Sequence, residues 1–346
     1  MYVCGYNSFK QLDGILPSED SEMTGSIREF RPALKKNVTH VAFAWNHVVL
    51  VEKGESIFIN GFMGNGIKSM FRLEQVPFSV ADIHQVVCSR EKLFCVTTDG
   101  QAWEYNYAST EWRNLKALLP LSEVEGLELR VVKFAVGVTF AAVLMDDGRV
   151  YTLPSEALPV PPELGSVTDL ACGHEHGILL TSTGQVMTWG TALRGQLGND
   201  NVDTSPEPTE VHALAGIKCV SIAAGGWHSC AISSDGDLYT WGWNKFGQLG
   251  LPRPQDDLDK GISVAYLPVV VDFPLEAPVV KAVFCGTGHT IVSLHNGELW
   301  GCGWNKYGQL GLGEEEFVSS MKKLPVPPDV EIKTVVCGSW NSAVIS

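Results

Sequence analysis

The stretch Trp241-Gly242-Trp243-Asn244-Lys245-Phe246-Gly247-Gln248-Leu249-Gly250 decides the fold, because the chain repeats it. It recurs as Gly303-Trp304-Asn305-Lys306-Tyr307-Gly308-Gln309-Leu310-Gly311, and in part as Trp189-Gly190 followed by Gly195-Gln196-Leu197-Gly198. A weaker copy opens the chain, from Tyr2-Val3-Cys4-Gly5 to Gln11-Leu12-Asp13. Recurrence at intervals of tens of residues marks a repeat architecture, so the repeat is the unit to interpret. A second phrase precedes each of these: Cys172-Gly173-His174-Glu175-His176, Gly225-Gly226-Trp227-His228, Cys285-Gly286-Thr287-Gly288-His289 and Cys337-Gly338-Ser339-Trp340-Asn341. Between the phrases lie an apolar strand, a turn and another strand. Asp235-Gly236, Asn296-Gly297, Asp99-Gly100, Asp147-Gly148 and Lys53-Gly54 fall at the turn, where hairpins favour residues tolerant of positive φ. Each unit is therefore a small antiparallel sheet.

Degenerate units over Val41 to Gly61, Val86 to Asn106 and Val131 to Leu153 keep the strand, turn, strand layout but lack the Gly-Gln-Leu-Gly loop. Anchoring on Phe43, Cys88, Val136, Cys172, Ala224, Cys285 and Cys337 gives seven units, 36 to 61 residues apart. Seven units predict an all-β, seven-bladed propeller occupying 1–346 as one domain, with degenerate blades over 38–153 and well-kept repeats over 167–346. The last unit stops halfway and the first begins halfway, so residues 332–346 and 2–13 are expected to share one blade. Such a clasp removes open sheet edges and closes the ring.

The two phrases resemble the repeats of the regulator of chromosome condensation family, strongly over 167–346 and weakly over 38–153. The layout is most like that of its single-propeller members. The resemblance implies a non-enzymatic propeller that partners a JmjC-domain 2-oxoglutarate oxygenase, a histone demethylase-like enzyme, in chromatin regulation and chromosome segregation, touching histone only indirectly. The family's archetype resembles a guanine-nucleotide exchange factor for the small GTPase Ran that holds chromatin through a basic arm. Exchange on a Ran-like GTPase is therefore the alternative implied. It is disfavoured by the loops missing from three units and by first residues that read as part of the ring.

A net charge of −14, from 25 basic and 39 acidic residues, opposes direct DNA binding, which needs Lys and Arg to neutralise phosphates. No apolar run is long enough to cross a membrane, so no membrane contact is expected. Nine cysteines lack any Cys-x-x-Cys pair, and four recur at one repeat position, so they are read as reduced core residues of a nuclear and cytoplasmic protein.

The candidates for chemistry are mostly repeat furniture. His176, His228 and His289 recur at one position on different units and are read as structural, as are Trp189, Trp241, Trp300, Asn244 and Asn305. Gly61 to Ser69 imitates a phosphate loop, but Ile67 separates Gly66 from Lys68 and no helix pattern follows. Nucleophile elbows and dinucleotide fingerprints are absent, so no catalytic residue, cofactor or metal is assigned. A third alternative, an enzyme with its site in the central channel, would need acids and histidines that break the repeat.

Surface recognition remains, and four regions exceed a plain blade: Gly14 to Asn37, Glu104 to Arg130, Leu251 to Val279 and Glu314 to Ile332. Long loops in compact domains are commonly functional. Candidate partner contacts are Asp256, Asp257, Asp259, Tyr266 and Phe273 in the third region, which could equally be a packed lid or an extra strand, and the aromatic group Tyr105, Tyr107 and Trp112, which could equally cover a weak blade. Should the partner also modify this chain, Arg130 and Arg149 are candidates beside a degenerate unit. Lys35-Lys36 and Lys322-Lys323 are its only adjacent basic pairs.

Overall fold

In the computed structural model seven four-stranded antiparallel sheets stand around a central channel. The structure describes all residues except 18–24, 34–36, 54 and 55, 64 and 65, 120–128, 154 and 155, 258, 260 and 329. Blade 1 spans residues 38–72, blade 2 83–114, blade 3 131–157, blade 4 167–210, blade 5 219–270 and blade 6 280–323. Within each, the strands run in chain order from the channel outward. Blade 7 is the clasp: Thr334–Cys337 and Asn341–Ile345 supply its inner pair, and Tyr2–Tyr6 and Ser26–Pro32 its outer pair. Tyr2 pairs with Val344 and Gly5 with Asn341, so the two ends of the chain are zipped by backbone hydrogen bonds.

The clasp corrects one expectation and explains another. Its outermost strand, Ser26–Pro32, lies in the first of the four regions that look like insertions. The other three likewise carry an outer strand: Glu111–Asn114 in blade 2, Val264–Val270 in blade 5 and Phe317–Lys323 in blade 6. An outer strand pairs on one edge only and turns much of its surface to solvent, so it carries no strict apolar alternation to betray it.

Two devices keep the blades regular. The third strand bends at a glycine with φ between +102° and +124° in Gly5, Gly61, Gly190, Gly242 and Gly303, each at a register shift against its outer neighbour. That region of backbone space is costly for any residue with a Cβ. The first glycine of Gly-Gln-Leu-Gly also has positive φ, and a Cβ there would strike the next blade's outer strand, at Ala265 from Gly195, Ser319 from Gly247 and Arg28 from Gly308.

Between these sheets the core is divided into clusters that straddle neighbouring blades. One joins Ile178 and Leu180 of blade 4 to Ile222, Ala231 and Trp241 of blade 5. Another joins Cys230 and Ile232 of blade 5 to Val283, Val292 and Cys302 of blade 6. Blades 1 to 3 replace the long loop with short hairpins between third and outer strands, which is why the phrase is missing there. They are pinned otherwise: Phe94 stacks on Phe134 with centroids 4.5 Å apart, Gln85 bonds both the N–H and the carbonyl of Phe134, and Lys133 pairs with Asp169.

Lys10 occupies the place of that first glycine in the clasp loop, with φ of 57°. A left-handed lysine is strained, so Lys10→Gly should raise the unfolding free energy in urea by about 1 kcal/mol. A decrease would show that the lysine side chain contributes more than its backbone costs.

Candidate protein-interaction face

The repeat phrases meet on one face of the ring, where the loops after the inner strands and those after the third strands emerge together. In blade 5 the buried His228 places Nε2 2.9 Å from Thr290 Oγ1 of blade 6, and Thr290 donates its proton to the carbonyl of Gln248, 2.7 Å away. A hydroxyl has one proton, so the imidazole must donate and its hydrogen sits on Nε2. The same relay runs from His176 through Ser229 to Gln196, and from His289 through Ser342 to Gln309. Each glutamine carbonyl takes a second donor from the next blade: Trp241 Nε1 on Gln196, Cys302 Sγ on Gln248 and Cys4 Sγ on Gln309. Cys302, not Trp300, thus stands at the repeat position of Trp241. Trp300 lies two residues earlier, bonded to Glu298.

The Asn of the phrase braces the loop internally. Asn244 accepts from Leu249 N–H and donates to the carbonyls of Leu251 and Ile262, and Asn305 repeats this with Leu310, Gly313 and Glu315. In blade 1 the buried His47 bonds Tyr107 Oη of blade 2 at 2.9 Å in place of a serine or threonine.

On this rigid base lies an arc of half-buried aromatic rings around the channel mouth. It runs from Trp227 and Trp243 of blade 5 through Phe246 to Trp304 and Tyr307 of blade 6. It continues through Trp340, Tyr6 and Phe9 of the clasp to Trp45 of blade 1. Successive centroids are 4.6 to 5.7 Å apart. A cation closes each end. The guanidinium of Arg194 lies between Trp227 and Trp243, 4.2 and 4.1 Å from their centroids, and Arg90 lies over Trp45 at 5.3 Å. Such contacts contribute about 0.5–2 kcal/mol each and orient the cation. Lys245 projects beside Trp243 and Phe246, and Val138 and Leu193 stand 71% and 69% exposed on the same face. Aromatic rings, arginine and exposed aliphatic groups are the composition of a protein-binding patch.

The channel mouth is a cavity of about 570 Å³ whose lining includes Cys88, Cys172, Cys285 and Cys337 at the ends of inner strands. Burial pushes the Cys172 thiol up to about 12 and holds the other three well above the ordinary thiol range. Among the described residues its lining offers one imidazole, His174, bonded to Thr287 and set edge-on to Trp227, and one carboxylate, Glu91. That set does not assemble a pair of catalytic acids.

The residues singled out from sequence scatter. Tyr105 and Tyr107 are buried between blades 1 and 2, with Trp112 half-buried against them. Their contacts are spent on packing, so as partner contacts they are corrected to a blade cover. Asp256 is held by Arg253 in a bidentate pair and by Ser319, which keep its carboxyl well below the usual carboxylate range. Asp257 Oδ1 accepts from the N–H of Asp259, forming a local turn. Tyr266 is exposed on the outer strand of blade 5 near Leu267 and Val270, and Phe273 packs edge-on to Trp300. Asp256 is linked through Arg253 and Phe317 to Phe246 of the arc. Arg149 pairs with Asp147, and the Arg130 N–H bonds Asp146. Lys322 and Lys323 pair with Glu315 and Glu298, while Lys35-Lys36 fall outside the described residues. The phosphate-loop imitation is an antiparallel strand pair, with Gly64 and Asn65 outside the described residues. The aromatic arc was missed, although Trp227 and Trp340 share one repeat position, directly before the relay position, and Trp45 stands one residue earlier in the same loop of blade 1.

A closed seven-bladed ring with an aromatic face of this kind defines a repeat propeller of the interaction type. The model of the Regulator of chromosome condensation (RCC1) repeat matches residues 183–232, 235–293 and 296–345, and a second model of that repeat matches 167–196, 219–248 and 280–309. The chain is 30% identical to RCC1 domain-containing protein 1 of Mus musculus, over 89% of this chain and 87% of the relative. It is 35% identical to its Homo sapiens counterpart over 58% of this chain and 62% of that protein, so this match spans less than two thirds of the human relative. The protein belongs to the RCC1 repeat family. Human WBSCR16 shares its fold, with a TM-score of 0.80 at 18% identity over 99% and 97% of the two chains. So does Prp20p of Saccharomyces cerevisiae, with 0.77 at 17% over 99% and 90%.

The relay histidines generate a pH prediction. Burial holds the pKa of His47 down to about 4, and that of His176 and His289 down to about 3. In the unfolded chain each titrates near its ordinary value of about 6.5. Above that pH both states are neutral and stability is intact. As pH falls below it the unfolded chain gains protons that the fold refuses, costing about 1.4 kcal/mol per pH unit for each ring. Urea unfolding should therefore show a loss approaching about 4 kcal/mol between pH 6 and 5, and a flat profile there would contradict neutral, buried imidazoles.

Proposed function

We propose that this protein is a non-enzymatic propeller whose aromatic arc docks a protein partner, and that the partner is a JmjC-domain 2-oxoglutarate oxygenase serving chromatin regulation and chromosome segregation. The observation that carries the docking half is the arc capped by Arg90 and Arg194. Rings spread over four blades are costly to leave half-exposed and are held rigid by the hydrogen-bonded loops beneath them, so little order is lost on binding. The oxygenase half rests on the similarity to RCC1 domain-containing protein 1. On this reading the protein works in nucleus and cytoplasm with its nine cysteines reduced, and meets histone through the oxygenase. The net charge of −14 keeps it off DNA.

Calorimetry with a purified JmjC-domain oxygenase tests this on three proteins: the wild type, Arg90→Glu with Lys245→Glu, and Tyr266→Ser. The double reversal should weaken binding at least about tenfold, or about 1.4 kcal/mol, while Tyr266→Ser changes it less than about twofold. The opposite ranking would move the contact to the rim of blade 5. Prp20p is described as binding Gsp1p and histones. Should this chain ignore the oxygenase and accelerate nucleotide release from a Ran-like GTPase, exchange replaces the adaptor reading.

A further inference from the structure

The junction of blades 5 and 6 departs from the repeat in a way that gathers soft ligands. The residue two after the relay histidine is Ile178 in blade 4, Ile291 in blade 6 and Val49 in blade 1, but Cys230 in blade 5. Facing it across the junction is Cys285, at the end of the inner strand of blade 6. The two sulfurs are 3.5 Å apart, and a ring nitrogen of His228 lies with them inside 4.8 Å. Among the described residues this is the one group of three histidine, cysteine or acidic side chains so placed. At the next junction His289 stands beside Ile291, so a second thiol is lacking there.

We propose that His228, Cys230 and Cys285 form a binding site for a thiophilic divalent cation, Zn²⁺ by its chemistry. A tetrahedral ion with bonds of about 2.0 to 2.3 Å holds its ligand atoms roughly 3.5 to 3.8 Å apart, close to the sulfur separation found. The imidazole would ligate through Nδ1. Its Nε2 hydrogen goes to Thr290, which passes its own proton to Gln248, and Nδ1 has no hydrogen-bond partner. A ligating histidine anchored through its other ring nitrogen is the usual arrangement around zinc. Two thiolates balance a 2+ charge and leave the buried site neutral, whereas a monovalent copper ion would leave a net negative charge there. Three protein ligands leave one position of the tetrahedron for a solvent molecule or an exogenous donor, and Cys285 lines the channel. The relay recurs in every well-kept blade and serves structure; only here does it present its imidazole to two thiols.

Binding requires both thiols to lose their protons. Affinity should therefore climb about 100-fold per pH unit between pH 6 and 8, a slope of two protons per ion. The test uses the full chain, reduced with a phosphine and titrated with Co²⁺ alone at pH 8. One equivalent should produce thiolate-to-cobalt charge-transfer bands and tetrahedral visible bands, both removed by one equivalent of Zn²⁺. Cys230→Ile restores the residue found in blades 4 and 6, and Cys285→Ala the residue that Ala224 supplies in blade 5. Each should abolish the bands and weaken uptake at least about 100-fold while circular dichroism is unchanged. Cys337→Ala, at the neighbouring junction, should keep them. Absence of the bands in the wild type, their survival in either junction variant, or their loss in Cys337→Ala overturns the site.

Discussion

A backbone carbonyl that accepts two hydrogen bonds from the next blade holds the ring together. Gln196, Gln248 and Gln309 each present one, and each receives a hydroxyl that is itself held by the histidine of the glutamine's own blade, and a second donor from a third-strand residue. These carbonyls are buried, where an unpaired acceptor costs about 1–3 kcal/mol. The repeated phrase is the set of side chains that keeps them paired. The glutamine side chain turns its own loop, accepting from Arg194, Phe246 and Tyr307 N–H. The asparagine completes the loop, and the leucine plugs the space between blades. A substitution of the histidine, the hydroxyl or the third-strand donor strands a polar group in another blade, so these members act as one unit.

This constraint explains why the interaction face is stiff and one-sided. The hydrogen-bonded loops emerge where the inner strands end, so the residues between the constrained positions are the ones free to vary and to project. Trp227 and Trp340 occupy one such position, where blade 6 carries Gly288 with Phe246 filling the space, and Trp45 of blade 1 stands one residue earlier in the same loop. The arc is thus built from what the repeat leaves unspecified. Blades 2 and 3 break the relay: Lys92 and Phe140 stand where the histidine would be, and Lys92 pairs with Glu104 instead. The arc ends there, at Arg90.

Much of the architecture was legible because the constrained positions leave spaced, invariant marks. Two strands, a turn and a third strand were readable in every unit, as was the closure by the two ends. The fourth strand was not, since Ser26–Pro32, Glu111–Asn114 and Val264–Val270 carry mixed polar and apolar residues on an edge. Reading the segment around Val264–Val270 as a contact loop, beside its equal reading as an extra strand, made Asp256 and Tyr266 candidate contacts; Asp256 is bound to Arg253 and Ser319. Tyr105 and Tyr107 misled in the other direction: an aromatic cluster looks alike in sequence whether it faces a partner or a neighbouring blade.

By itself the sequence determined the number of blades, their strand order through the third strand, the clasp and the family, because these follow from local periodicity and from phrases whose members act within one loop. Only the tertiary structure decided which side chains are shared between blades. It set the direction of the histidine relay, the placement of Cys302 where Trp241 stands in the blade before, the aromatic arc with its two arginines, and the meeting of His228, Cys230 and Cys285. Each joins residues tens of positions apart through the angle at which one sheet packs on the next, and spacing along a chain does not encode that angle.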